Sequence, residues 1–390
     1  MKTVGIIAEF NPFHNGHKYL IDTLKTEGYR VVCVIGDDFT QRGDVALISK
    51  FSRAEAAIKC GADLCLLLPS PWSMSCAYNF ALGGVSILKN LGCVDTIAFG
   101  SECGDIEKLL RVSDAVHSDM ITPYIGEELK KGTTFAKARQ TALEKIIGSD
   151  AEILSNPNDT LATEYIAAAK ALDFSPEFIA VSRVGCEHDS KKTDSMFASA
   201  SFIRENYKTG DVSSYMPKDS FDVLCRDYDN GLCAEIERLE TAVIAHLRRT
   251  KPTDFYDIPE VSEGFENRII EAARTATKLT ELYENAKTKR YTMARIRRIV
   301  MSSFLGINLQ FFGQPVPYIK VLGFNKAGEG ILKDSSPTVP LINRSKDYLS
   351  LTDDAADCFA KQRAAADIYG LATQRPQAGG RELSESIIKI

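Results

Sequence analysis

The sequence predicts an α/β fold: a Rossmann-like domain with a parallel sheet, followed by a mainly helical C-terminal domain. Three observations predict it. Short apolar runs at 4–8, 30–35, 64–68 and 96–99 are bounded by turn residues and alternate with helical patterns at 17–26, 50–60 and 74–91. Strands apolar on both faces and separated by helices close as right-handed parallel crossovers. After Tyr215-Met216-Pro217 the spacing of apolar residues changes to three and four over 232–249, 262–279 and 292–305, the spacing of helices that pack on helices. At the usual ~150 residues per domain, a chain of 390 has room for both units; the boundary is placed between 1–215 and 216–390.

Between these landmarks, helices are expected at 105–117, 126–147 and 159–171, and a strand at 178–184 returns to the sheet. In the second half, 318–324 and 330–333 flank Asn325 to Glu329 as a small β-hairpin, with 339–342 extended after it. A last helix covers 353–369, and 374–381, with Pro, Gln and two Gly, reads as a frayed tail or short linker.

Composition excludes several classes. With 44% hydrophobic and 25% charged residues the chain is an ordinary globular protein, neither disordered nor collagen-like. Its 47 basic residues against 52 acidic ones leave a net charge of −5, so any nucleic-acid face must be local. None of the ten cysteines forms a Cys-x-x-Cys pair, which removes the usual zinc clip and redox couple and leaves small buried hydrophobes in a reducing compartment. Apolar runs such as 63–69 are too short to cross a bilayer, and the first residues enter a strand without a charged leader. The expectation is a cytoplasmic protein with no membrane contact.

The chemistry concentrates in Ile7-Ala8-Glu9-Phe10-Asn11-Pro12-Phe13-His14-Asn15-Gly16-His17, where the first strand passes into the first helix. Ligands of open α/β sheets bind beyond the carboxyl ends of the strands, where a helix N-terminus offers N–H groups and a positive dipole to phosphate. Two imidazoles three positions apart there can both donate to phosphate oxygens and stabilise the charge that builds as pyrophosphate leaves. Gly16 lets a phosphate approach the backbone. Gln41-Arg42-Gly43-Asp44 and Lys50 follow the second strand in a loop longer than the usual ~2 to 6 residues. It reads as a lid whose Arg42 and Lys50 counter phosphate charge, or equally as a surface turn with ion pairs. Trp72 is assigned to the core in preference to stacking on a base.

These residues resemble the HxGH nucleotidyltransferase superfamily, and the longer stretch resembles one branch of it, the tRNA(Met) cytidine acetate ligases. The likeness extends through Phe39-Thr40-Gln41-Arg42-Gly43-Asp44, 50–57, 61–69 and Phe99-Gly100-Ser101-Glu102, then through Asn156-Pro157-Asn158-Asp159, Ser182-Arg183-Val184-Gly185 and the Ser-rich 198–204. It thins after Pro337. One departure is the run after Asn158, which is more polar than the family's usual stretch; the loop that follows Gly185 keeps a His188-Asp189 pair where the family has one and reads as a polar loop near the site.

By resemblance, His14 and His17 are catalytic. ATP is contacted by Ile7, Ala8, Glu9, Phe10, Asn11, Pro12, His14, Gly16, His17, Leu20, Gly100, Asn158, Arg183 and Val184, and further by Ser199, Ser201 and Arg204. The implied activity joins acetate, activated as acetyl-adenylate with release of pyrophosphate, to N4 of the wobble cytidine of elongator tRNA(Met), giving N4-acetylcytidine. Mg2+ is expected with ATP, without evident protein ligands. For the tRNA, the strongest basic cluster is Lys287, Lys289, Arg290, Arg295, Arg297 and Arg298, free of acids and interleaved with Tyr291 as a stacking face. The alternative is a small-molecule adenylyltransferase of the same superfamily, for which the basic helix is incidental.

Overall fold

A computed structural model of the chain describes residues 1–182, 196–262, 264–344 and 346–390. In chain order the main elements are β1 (Thr3–Ala8), α1 (Asn15–Thr26), β2 (Arg30–Gly36), α2 (Lys50–Lys59), β3 (Leu64–Leu68), α3 (Ser70–Ser73), α4 (Ala77–Leu91), β4 (Thr96–Ser101), α5 (Ile106–Val116), α6 (Thr122–Lys130), α7 (Phe135–Ile147), α8 (Pro157–Ala171) and β5 (Glu177–Ser182). There follow α9 (Ala200–Asn206), α10 (Lys218–Asp229), α11 (Glu240–Arg249), α12 (Phe265–Thr275), α13 (Leu279–Ala286), α14 (Met293–Leu305), β6 (Ile319–Phe324), α15 (Lys326–Asp334), β7 (Leu341–Ile342), α16 (Asp353–Ala372), α17 (Arg381–Ser384) and β8 (Ile388–Lys389).

The sheet runs β5-β4-β1-β2-β3-β6-β7, with β8 also on β6. The first five strands are parallel, as the apolar runs require. Every residue of β3 is buried, because helices cover both faces of the sheet. One face packs on α4, α5 and α8 and the other on α1, α2 and α10. A separate apolar core joins α11 to α14, and it includes Phe39 from the first half and Tyr369 from α16.

The structure corrects three expectations about the elements. The stretch 126–147 breaks into α6 and α7 at Gly132, whose φ of 79° ends the first helix, and Thr134 caps the second by accepting from Lys137 N. The hairpin at 318–333 does not form. Asn325, read as a turn residue, is instead a helix cap whose Oδ1 accepts from Ala327 N and Gly328 N, so α15 follows β6 directly. β6 then enters the main sheet antiparallel to β3. The tail at 374–381 is not frayed: Gln374 N donates to Cys233 O, Arg375 N to Gly231 O and Gln377 N to Gly370 O. Beyond it, β8 shares the outer edge of β6 with β7.

Loop 37–49 is no lid, and Lys50 is not at the surface. Phe39, Ala46, Leu47 and Ile48 are buried, as is Lys50 itself. The Lys50 ammonium lies 2.8 Å from Asp37, 2.9 Å from Asp38 and 2.6 Å from Glu382 of the C-terminal tail. Burial alone would strip its proton, but the three carboxylates outweigh that and hold its pKa well above the ordinary value. Trp72 lies in the core, as expected.

Burial pushes the Glu382 carboxyl up, yet Lys50 and Lys320 outweigh it and bring the group from an ordinary 4.5 to about 2. A depressed carboxyl pKa contributes stability that is complete above 4.5 and lost as pH falls from there toward 2. Asp37, raised by its own burial, acts with the opposite sign. Glu382→Gln should therefore cost about 3–5 kcal/mol at pH 7, the usual result of leaving a buried ion without its partner, and the difference from the parent should shrink under acid. Urea unfolding at about pH 7 and pH 3 measures both quantities; equal stabilities at neutral pH would refute the assignment.

Candidate active site

Strands β1, β2 and β3 step outward in one direction, whereas β4 and β5 lie on the other side of β1. The switch point between β1 and β4 is where open α/β sheets bind ligands. Pairing of β1 with β4 is confined to Val4↔Thr96 and Gly5↔Ile97, so the strands part toward Ala8 and Gly100 and leave a crevice between their carboxyl ends.

The corner above β1 is tightly built. Phe10 takes a left-handed backbone, φ 49°, which costs a non-glycine residue about 1–2 kcal/mol. Burial of its ring, edge-on to Phe13 at 4.9 Å and to His17 at 4.8 Å, offsets that cost. His14 caps α1: its Nδ1 accepts from Gly16 N at 3.0 Å, while its own N–H donates to His17 Nδ1 at 3.2 Å. The two rings stack with centroids 3.7 Å apart. Because each Nδ1 accepts a backbone N–H, each neutral ring carries its proton on Nε2. The corner thus holds two stacked imidazoles of fixed tautomer.

The amides of the helix start are partly engaged already, since the cap satisfies them: Gly16 N serves His14 Nδ1, and His17 N serves His14 O. A Cβ on residue 16 would stand 2.9 Å from His14 Cε1, so Gly16 makes room for the ring.

Other expected residues divide between the crevice and its supports. Ile7 and Ala8 end β1, and Ile7 O accepts from the buried Tyr165 hydroxyl at 3.4 Å. The half-buried Glu9 accepts from Gln41 N at 2.7 Å. Asn11 is structural in its side chain, whose Oδ1 accepts from Leu47 N at 2.8 Å. Pro12 is buried, and Leu20 belongs to the core beneath α1. The Ser-rich segment does reach the corner: Arg204 donates to Asn11 O at 2.6 Å and to Ser201 Oγ at 3.1 Å, and Ser199 Oγ caps α9. Burial, countered in part by Glu9, pulls the Arg204 pKa below the ordinary arginine value. Gly100 and Asn158 flank the far wall. Arg183 and Val184, like the 185–190 loop, lie outside the described residues.

Sequence reasoning missed the organiser of that far wall. Asp159, wholly buried, accepts from Ser101 Oγ at 2.5 Å, Glu102 N at 3.0 Å, Cys103 N at 3.1 Å and Asn156 Nδ2 at 3.0 Å. Glu102 returns the contact, accepting from Asn158 Nδ2 at 2.5 Å and Asp159 N at 3.1 Å. The available signal was an acid in the first turn of a helix opened by Asn-Pro, where the dipole favours it.

The basic cluster is largely engaged. Arg298 makes a two-pronged pair with Glu260 at 2.6 Å per prong, and Arg295 donates to Glu260 O at 2.6 Å while lying over the Tyr291 ring. Tyr291 does not offer a face to a base. It is buried, stacked on Phe265 at 3.7 Å, with its hydroxyl bound to Ser262. Arg297 packs over Tyr283. Lys287, Lys289 and Arg290 are exposed between α13 and α14, and Lys287 Nζ donates to Tyr291 O. Among the described residues no three His, Cys, Asp or Glu gather into a metal cluster, the nine described cysteines are free thiols, and no helix is long and apolar enough to cross a membrane.

Comparison with known proteins agrees with this geometry. The profile of the HIGH Nucleotidyl Transferase family matches residues 1–382. The tRNA(Met) cytidine acetate ligase of Caldanaerobacter subterraneus subsp. tengcongensis is 35% identical over 404 residues, and that of Acetivibrio thermocellus 33% over 414, each alignment covering 100% of both chains. The crystal structure of Thermotoga maritima TmcAL in its apo form is similar with a TM-score of 0.92 at 30% identity, covering 100% of both chains. A second structure of that protein, bound with alpha-thio ATP, gives 0.90 at 30% identity and covers 100% of this chain and 99% of the other.

The far wall gives a direct test. Asp159→Ala deletes the shared acceptor of four donors and should lower stability by about 2–4 kcal/mol, whereas Asp159→Asn, which keeps one acceptor oxygen, should cost roughly half as much. Urea midpoints decide it; an alanine variant within about 0.5 kcal/mol of the parent would contradict the organising role.

Proposed function

The chain belongs to the HIGH Nucleotidyl Transferase family and, within it, to the tRNA(Met) cytidine acetate ligases, and from that premise we propose that it joins acetate to a tRNA cytidine at the expense of ATP. In the first step an acetate oxygen attacks the α-phosphorus of ATP. The bond to the bridging oxygen breaks, pyrophosphate leaves, and acetyl-adenylate remains. In the second step the N4 amine of the wobble cytidine of elongator tRNA(Met) attacks the acetyl carbon. An amide bond forms, AMP departs with the electron pair, and the amine loses a proton to water.

The observation that carries this reading is the stacked pair His14 and His17. Their Nε2–H groups, fixed in tautomer by the backbone, are preorganised donors for the oxygens on which charge accumulates as pyrophosphate leaves. Arg204, held to the same corner through Asn11 O, adds a positive charge. Gly100 and Asn158 bound the crevice where the rest of the nucleotide would lie. Mg2+ arriving with ATP would be carried by phosphate and water oxygens; among the described residues no three His, Cys, Asp or Glu gather to hold it. For the tRNA, the exposed Lys287, Lys289 and Arg290 supply the phosphate contacts. Nine free thiols fit a reducing, cytoplasmic setting.

The test is nucleoside mass spectrometry of tRNA incubated with the protein, ATP and isotopically labelled acetate. The expected result is labelled N4-acetylcytidine, with AMP and pyrophosphate formed in equal amount. His17→Ala should reduce the rate about 10²–10³-fold, the usual effect of removing one preorganised donor. AMP transfer that requires neither acetate nor tRNA would overturn the reading in favour of a small-molecule adenylyltransferase.

A further inference from the structure

The turn at 40–44 is held on both sides of one residue, Gln41. The turn closes on itself through Thr40 N to Asp44 O at 2.8 Å and Gly43 N to Thr40 O at 2.9 Å. Gln41 N donates to Glu9 Oε1 at 2.7 Å, at the end of β1. Gln41 O accepts from Arg298 Nη1 at 3.0 Å, on α14 of the helical core. Arg298 is locked in turn by Glu260, with Nε and Nη2 each 2.6 Å from a carboxylate oxygen. Gly43 takes φ 71°, and a Cβ there would meet Arg298 N at 2.6 Å, so the turn sits directly on the helix.

This arrangement is poorly suited to gripping RNA. Side chains of Arg298 and Glu260 are only 12% and 11% exposed. A fork already filled by a desolvated carboxylate has little to gain by exchanging it for a phosphate. The same arrangement is well suited to setting the nucleotide corner. Gln41 N–H occupies one oxygen of Glu9, and Glu9, with Asp44 and Glu205, is within electrostatic reach of Arg204, the cation bound to Asn11 O. Were that N–H displaced, Glu9 would be free to turn on Arg204 and mask the charge meant for phosphate.

We propose that Arg298 and Glu260 are positioning residues for the nucleotide corner, acting through the backbone of Gln41 on Glu9. This deepens the function proposed above and rests on it. The helical half then contributes to the ATP step before any RNA arrives.

The experiment uses the full chain and the variants Arg298→Ala, Arg298→Lys and Glu260→Gln, with circular dichroism to confirm folding. ATP affinity is measured without tRNA, acetate-dependent pyrophosphate release gives kcat and KM, and tRNA affinity is followed across salt. Both Arg298→Ala and Glu260→Gln should weaken ATP binding or slow pyrophosphate release about tenfold, with Arg298→Lys intermediate and the salt slope of tRNA binding unchanged. Glu260→Gln is nearly isosteric and carries the test should Arg298→Ala fail to fold. A Glu260→Gln protein that binds tRNA more tightly and keeps its ATP step would overturn the proposal, since freeing Arg298 would have exposed an RNA contact. Unchanged behaviour in all three variants would overturn it equally. A parent protein that binds no ATP would instead remove the functional reading beneath it.

Discussion

One buried ammonium holds together parts of the chain that are far apart in sequence. Lys50 opens α2, Asp37 and Asp38 follow β2, and Glu382 comes from the last turn of helix before the chain ends. An ion placed so deep is stable only while its partners surround it, so the three segments cannot separate without a large cost. Asp37 extends the tie to α3 through Ser70, whose hydroxyl it accepts at 2.7 Å. Arg53, one turn further along α2, adds bonds to the carbonyls of Glu9, Gly36, Asp37 and Ile48. Charge pairing thereby fixes the start of the 37–49 loop against α2.

The consequence reaches the crevice. Glu9 O is tied to Arg53, Asn11 Oδ1 receives Leu47 N, and Glu9 Oε1 receives Gln41 N, so the residues between β1 and the twin histidines are held from the loop beneath. The corner is assembled before a ligand arrives, which is what electrostatic stabilisation of a leaving group requires. The left-handed Phe10 belongs to the same economy: its ring supports His17 from the side while its backbone turns the chain toward the cap.

Much of this was legible from the residues. The parallel strands, the helices between them and the His-Asn-Gly-His corner follow from period and position, because local apolar patterning and a strand-to-helix turn are local properties. What escaped depends on contacts across hundreds of positions. Nothing near Glu382 in sequence says that it will meet Lys50, and Gln377 to Gly380 carries the composition of a loose end although its backbone is bonded. Asn325 and Glu329 have the composition of a turn, and only the cap geometry shows a helix start. The run from Lys287 to Arg298 looks uniformly basic as a string, but Glu260, 38 positions before Arg298, neutralises its core. A cluster free of acids in sequence need not be free of them in space.

The boundary near residue 215 therefore describes chain order better than it describes mechanics. β6 and β8 return to the sheet from beyond that point, and Phe39 leaves the first half to pack with Tyr369 and the core of α11 to α14. Loop 37–49 is the common element, buried in the helical core at Phe39, in the ionic cluster at its two ends and against β1 at Gln41. Displacement of the helical core would have to move Phe39, and with it the peptide that faces Glu9. Apolar packing resists small continuous shifts, so the two halves share one rigid joint at the place where the nucleotide corner is set.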